Sequence, residues 1–199
     1  MYVSGDDRLV RNALMQYDES RFSEGLTQSR YPSASPQVIP PFSLYWVDMV
    51  HDYWTLRDDP EFIQSFLPGI DQVLGWFIKR IDRKTGLLGQ LEYWNFVDWA
   101  DEWPWDNNLR IGGVPKGARN IDGQSSILTM QLAYAVQRAA ELNDYFDQPI
   151  QAENYKQLAQ YLTQSVNQSC WDTSRNYLAD TPDKNEFTMH AQIFGVLTN

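Results

Sequence analysis

The residues best suited to chemistry lie in one short stretch that combines large aromatic rings with carboxylates. Segment 95–108 reads NFVDWADEWPWDNN, and its three tryptophans and four acidic residues follow neither helical nor strand periodicity. Sugar rings present C–H faces that stack on indoles, and their hydroxyls need charged or amide partners. The stretch therefore indicates a carbohydrate site. Glycoside hydrolysis also needs two carboxyl groups, but the pattern alone does not assign an acid/base pair here.

A second group of candidates surrounds the start of a predicted helix. QSRYPS at 28–33 contains Arg30, and PPFSLYWVDMVHDYW at 40–54 contains Trp46 and Asp48. In one interpretation Trp46 stacks on a sugar and Asp48 binds its hydroxyls. In the other, Trp46 belongs to the core and Asp48 pairs locally. His51 is expected to be packed or paired, and His190 remains open between a structural role and ligand contact.

Composition excludes several classes of partner. The 199 residues carry a net charge of −10 without a Lys/Arg cluster, which argues against nucleic acid and anionic membrane surfaces. No apolar run approaches the roughly 20 residues of a membrane-spanning helix. The single cysteine, Cys170, and two histidines give no metal-binding pattern. We expect no cofactor and no metal, and the sequence leaves both cytoplasm and periplasm open as the compartment.

Helical segments with two kinds of hydrophobic pattern must position these residues. One-sided amphipathic segments alternate with segments that are apolar almost all round, which predicts an outer and an inner layer of helices. The segments are 6–22, 42–57, 60–81 with a break at Pro68-Gly69, 123–142 with Asp122 as cap, 149–169, and a last one from Thr188. The fold class is therefore all-α: a partial (α/α)6 toroid of about three helical hairpins, whose long loops can carry short strands.

Two of the long connections resemble each other. DRKTGLLGQ follows the third predicted helix and DTSRNYLAD follows the fifth, and aligning Asp82 with Asp172 places Leu88 opposite Leu178. The repeat is weak in identity, but it indicates that successive hairpins have the same architecture.

The order of these motifs resembles a known enzyme family. GLTQSRYPS, IPPFSLYWVDMVHDYW, NFVDWADEW, SSILTMQLAYAVQRAAEL and HAQIFGVL together resemble the catalytic domain of bacterial α-L-rhamnosidases, the six-hairpin glycosidases. The resemblance implies an inverting hydrolase that acts on rhamnosides. It also implies a rhamnose pocket lined by Trp46 and Asp48, by Asp98 and Trp99, and by His190, with Arg30 in the first motif.

The sequence departs from the family pattern at two of these motifs and at its ends. Val97 replaces a glycine before Asp98, and Gln192 replaces an asparagine after His190. The family's general acid is expected before residue 1 and its general base beyond Asn199. Residues 1–199 are therefore expected to be a fragment of one six-hairpin domain that supplies sugar-binding residues and has no turnover alone. An incomplete toroid also predicts self-association.

Other functions remain open at this stage. Another toroidal glycosidase, such as a trehalase- or glucoamylase-like enzyme, would use the same scaffold for a different sugar. A non-catalytic helical scaffold that binds carbohydrate or protein would also suit a chain without an acid/base pair. A terpene-cyclase-like toroid is less favoured, because DWADEWPWD is too polar for an apolar pocket.

Overall fold

The computed structural model describes residues 5–89, 91–108, 110–118 and 123–198. Helices dominate, and they are α1 (Arg8–Glu19), α2 (Pro40–Leu56), α3 (Pro60–Gln64), α4 (Leu67–Ile78), α5 (Ser126–Tyr145), α6 (Pro149–Cys170) and α7 (Met189–Leu197). Two short strands, β1 (Trp171–Asp172) and β2 (Tyr177–Leu178), form an antiparallel pair between α6 and α7. The predicted all-α partial toroid is confirmed.

Helix α5 is the centre of the packing. It contacts α2, α4, α6 and α7, while α1 contacts α2. Because neighbours surround it, α5 is buried on nearly every side from Ser126 to Asn143, as its all-round apolar sequence predicts. Helices α2, α5 and α7 correspond to the predicted inner layer, and α1, α4 and α6 correspond to the outer layer.

Local signals fix where the helices begin and break. Asp59 caps α3 by accepting a hydrogen bond from the backbone N–H of Phe62, and Pro60 occupies the first turn. The predicted break occurs just before Pro68, which lies in the first turn of α4. Ser125 caps α5 through the N–H of Leu128, whereas Asp122 lies outside the described residues.

The two similar connections adopt the same hairpin. Ile81 bridges Leu88 in the first, and Trp171 pairs with Leu178 in the second. The Asp82 carboxylate accepts hydrogen bonds from backbone N–H groups two and three residues ahead, and that of Asp172 does the same. The predicted structural repeat is therefore present.

Each hairpin is also fastened to the inner helix that follows it. The N–H of Leu88 donates to Oγ1 of Thr129 at 3.0 Å, and the N–H of Leu178 donates to Oε1 of Gln192 at 3.0 Å. Thr129 and Gln192 are both the fourth residue of their helix. The amide of Gln192 additionally donates to the carbonyl of Leu178 at 2.6 Å, so the glutamine pairs with both backbone groups of this strand residue.

The first of these connections is much longer than the second, and the excess is the aromatic stretch. After Leu88 the chain runs through residues 91–118 before it reaches Ser125, whereas the second connection reaches Thr188 within ten residues of Leu178. The aromatic loop is thus placed at the N-terminal ends of the inner helices. No helix among the described residues is long and apolar enough to cross a membrane.

Candidate functional site

The aromatic loop is organised around Gly113. Its carbonyl accepts the N–H of Val97 at 2.8 Å, and its own N–H donates to the carbonyl of Trp103 at 3.0 Å. Gly113 has a φ of +65°, and a Cβ atom there would overlap the ring of Phe96. Only glycine both adopts this positive φ readily and leaves room for the ring of Phe96. Gly113 therefore fixes how its own part of the loop approaches Val97 and Trp103.

Val97, which stands where the family pattern has glycine, does not disturb this arrangement. Its backbone is outside the left-handed region that favours glycine, and its N–H is bonded to Gly113. The side chain is half-buried and packs against the core. The loop therefore accommodates a β-branched residue at this position.

Asp98 and His190 come together although 92 residues separate them. Nε2 of His190 lies 3.0 Å from Oδ2 of Asp98, and Oδ1 of Asp98 accepts the N–H of Trp99 at 2.8 Å. The imidazole packs on the buried indole of Trp103, with ring centroids 4.6 Å apart. The contact ties the aromatic loop to the first turn of α7 and fixes the Asp98 carboxylate, which is 60% exposed.

Trp99 presents an open ring beside this pair. Its side chain is 63% exposed, and its ring is supported by Phe96 and Trp94 at centroid distances of 5.0 and 6.1 Å. Phe42 of α2 supports Phe96 edge-on at 6.1 Å. A supported but exposed indole is the platform that a sugar face needs.

Tyr45 connects α2 electrostatically with the loop. The pKa of Tyr45 is raised by burial of its hydroxyl and then by the nearby charges of Asp48 and Asp98. Both carboxylates therefore lie within electrostatic reach of one phenol. Asp98, Trp99 and His190, all predicted as sugar-binding residues, are grouped at the N-terminal ends of the inner helices, and Asp48 lies in the middle of α2, one turn beyond Tyr45.

Asp48 has an unusual environment for a carboxylate. Its Oδ1 atom is enclosed and makes no hydrogen bond to any described residue. Burial raises the pKa of Asp48 to about 8, while Arg138 opposes the shift and Asp52 adds to it. At neutral pH the group is mostly a neutral acid, which can donate as well as accept a hydrogen bond.

Trp46 does not join this group. It is only 1% exposed, its Nε1 donates to the carbonyl of Leu14 at 3.1 Å, and its ring meets Phe66 edge-on at 6.0 Å. The enclosed ring offers no face to a sugar, because α2 turns this side towards α1 and the connection between α3 and α4. The core interpretation of Trp46 describes its position, and we do not carry its predicted stacking role into the proposed site.

Arg30 also lies apart from the group. Its side chain is exposed in the loop between α1 and α2. Ser29 beside it is bonded to Gln37 of the same loop, and no described contact joins Arg30 to Asp98 or Trp99. Its predicted role in sugar binding stays a prediction.

Sequence reasoning missed a polar network between α2 and α5. Arg138 donates to the hydroxyl of Tyr134 at 2.5 Å and lies 3.5 Å from Glu141, whose other oxygen is 2.7 Å from Nε2 of His51. His51 is thus paired, as predicted. The available signal for Arg138 was its position as the first charge in an otherwise apolar or small segment. The network places a cation near Asp48.

The described residues contain no group of three or more His, Cys, Asp or Glu side chains placed to hold a metal ion. Three surface cavities of about 260–340 Å³ that described residues line lie away from Asp98 and Trp99. The side chains of Asp98 and Trp99 are both more than half exposed, and the candidate site is built from the aromatic loop and the first turns of α2 and α7.

Comparison with known proteins agrees with this architecture. A rhamnosidase of family GH78 from Bacillus sp. GL1 superposes with a TM-score of 0.80 at 21% identity, covering 98% of this chain and 19% of its own. A rhamnosidase from Klebsiella oxytoca, solved with rhamnose bound, superposes with a TM-score of 0.74 at 20% identity. The match covers 96% of this chain and 34% of the Klebsiella chain. At these identities the superpositions establish the fold.

The chain thus spans about a fifth and about a third of the length of these two proteins. No curated protein sequence matches it. The family profile described as the bacterial alpha-L-rhamnosidase 6 hairpin glycosidase domain matches residues 1–197. The chain belongs to the bacterial α-L-rhamnosidase six-hairpin glycosidase family.

Proposed function

We propose that the full-length protein hydrolyses terminal α-L-rhamnosides with inversion, and that this chain supplies residues that bind the rhamnosyl unit. One observation carries the proposal: the 3.0 Å contact between Asp98 and His190 holds a carboxylate beside the open ring of Trp99. Membership of a rhamnosidase family supports the choice of sugar.

Each residue has a distinct part in this proposal. Trp99 stacks on the apolar face of the sugar, and Asp98 accepts hydrogen bonds from its hydroxyls. Asp48, as a neutral acid, donates to a hydroxyl or accepts from one. His190 positions Asp98 and joins the loop to α7. We assign no catalytic acid or base to this chain, so the chemical step depends on residues outside it.

The first experiment measures hydrolysis by the full-length protein. An aryl α-L-rhamnoside is compared with the matching aryl α-glucoside, and proton NMR identifies the anomer that forms first. We expect activity on the rhamnoside and initial release of the β-anomer. Activity on glucosides alone would favour another toroidal glycosidase, and initial release of the α-anomer would contradict inversion.

Substitutions at Asp98 then test the site itself. Asp98→Asn removes the charge and should lower kcat/KM by roughly tenfold or more, the scale of losing a charged hydrogen bond. Asp101→Asn is the matched control, because Asp101 is an exposed carboxylate of the same loop. Equal effects of the two substitutions would remove Asp98 from the site.

A double-mutant cycle tests the positioning role of His190. The contact is partly exposed, so we expect a coupling free energy of about 1 kcal/mol between His190→Ala and Asp98→Asn in kcat/KM. His190→Gln should restore part of the loss, because its amide can also donate to Asp98. Additive effects of the two substitutions would show that His190 acts independently of Asp98.

A further inference from the structure

A second exposed indole lies beside Trp99. Trp105 is 52% exposed, and Gly112 separates it from Trp99. A Cβ atom built on Gly112 would lie 3.0 Å from the ring of Trp105 and 3.1 Å from the ring of Trp99. Both rings therefore pack closely over Gly112, and the absence of a side chain at this residue allows their close approach.

Hydrogen bonds within the loop hold the backbone that carries the two rings. Nε1 of Trp94 donates to the carbonyl of Gly112 at 3.0 Å. The N–H of Asp106 donates to the carbonyl of Ile111 at 2.7 Å, which closes a short turn immediately after Trp105. Rigid support of exposed aromatic surface reduces the entropy lost when a ligand binds to it.

Trp105 lies next to the proposed rhamnose site but is not part of it. Trp99 directly follows Asp98, whereas Trp103, not Trp105, contacts His190. Trp105 extends the exposed aromatic surface beyond Trp99. Adjacent exposed aromatic rings of this kind mark a binding surface.

We propose that Trp105, which packs over Gly112 beside Trp99, forms a leaving-group subsite for the ring to which the rhamnosyl unit is attached, while Trp99 stacks on the rhamnosyl unit itself. The shared chemistry of its occupant is a ring with a flat apolar face, either a second pyranose or an aromatic aglycone. This inference rests on the proposed rhamnosidase function and specifies which part of the substrate the enzyme recognises beyond rhamnose.

The test compares binding of rhamnose alone with binding of whole glycosides in the full-length protein. In Trp105→Ala, the inhibition constant of free L-rhamnose should stay within twofold of wild type. The KM for a rhamnosyl-glucose disaccharide, for an aryl rhamnoside, or for both should rise at least fivefold. A rise confined to the disaccharide identifies a sugar subsite, and a rise confined to the aryl glycoside identifies an aglycone subsite.

Three further variants make the result specific. Trp105→Phe should retain most of the affinity, because it keeps an aromatic face. Gly112→Ala would press a methyl group against the rings of both Trp105 and Trp99, so it should raise the KM for glycosides and the inhibition constant of free rhamnose together. Trp171→Ala, which removes a partly exposed indole from β1, is the matched control. It should change neither the KM for glycosides nor the inhibition constant of free L-rhamnose.

Two results would overturn the subsite. Unchanged KM values in both Trp105→Ala and Gly112→Ala would show that the second indole does not contact substrate. If Trp105→Ala weakens the binding of free rhamnose as much as the binding of glycosides, Trp105 belongs to the rhamnose site itself. Absence of rhamnoside hydrolysis in the wild-type protein would instead refute the proposed function, so the two failures are distinguishable.

Discussion

The buried carboxyl of Asp48 predicts how the free energy of unfolding changes with pH, in both sign and size. Burial of its carboxyl raises the pKa to about 8 from the ordinary 3.8. The substitution Asp48→Asn replaces the group with an amide of nearly the same shape that cannot ionise. The change therefore isolates the free-energy cost of placing a charge at this position on α2.

The stability of the wild-type protein should fall as the pH rises between about 4 and 8. In this window the native state keeps a proton on Asp48 that the unfolded chain has released. Each pH unit then costs at most about 1.4 kcal/mol, so the difference between pH 5 and pH 8 reaches at most about 4 kcal/mol. Below pH 4 both states are protonated, and above pH 8 both are ionised, so the slope ends at each limit.

Thermal unfolding at a series of pH values measures this effect. Asp48→Asn should match wild type near pH 4 and become progressively more stable than wild type towards pH 8. Asp58→Asn is the control, because Asp58 is an exposed carboxylate beyond the end of the same helix. A Tm difference between Asp48→Asn and wild type that does not change with pH would refute the electrostatic account of Asp48.

Four other substitutions or truncations separate binding from folding. Trp99→Ala should lower kcat/KM for a rhamnoside, with a loss of transition-state stabilisation of about 1–3 kcal/mol. This is the scale of a lost aromatic contact, and Tm should change little. Trp46→Phe removes the hydrogen bond to Leu14 and should lower stability by about 1–2 kcal/mol without changing KM, and a raised KM would return Trp46 to the site. Gly113→Ala should displace the loop from Phe96 and reduce activity and Tm together, whereas a fully active variant would show that the loop tolerates a side chain there. The isolated 199-residue chain should show no hydrolysis of an aryl α-L-rhamnoside, and turnover by it would place a catalytic pair within this sequence.

Features that depend on periodicity were predictable from the sequence. The all-round apolar pattern of α5 predicts a helix with neighbours on every side, and the Asp82 and Asp172 motifs predict matching hairpins. The pairing of His51 was also expected. These inferences succeed because burial and turn chemistry leave local signals at fixed spacing.

Features that depend on which face of a buried helix meets which neighbour were not predictable. Helix α2 is apolar around most of its surface, so its sequence cannot tell whether Trp46 points to the core or to a ligand. The raised pKa of Asp48 requires knowledge of enclosure by other segments. Arg138 is likewise informative only once α2 and α5 are seen to pack together. Long-range contacts, not local pattern, decide all three.

The most direct test is a crystal structure of the full-length protein with L-rhamnose. We predict that the sugar lies across the ring of Trp99, with a hydroxyl within hydrogen-bond distance of Asp98 while His190 keeps its contact with that carboxylate. Rhamnose bound elsewhere, with Asp98 and Trp99 free of it, would contradict the assignment of this surface as the sugar-binding site.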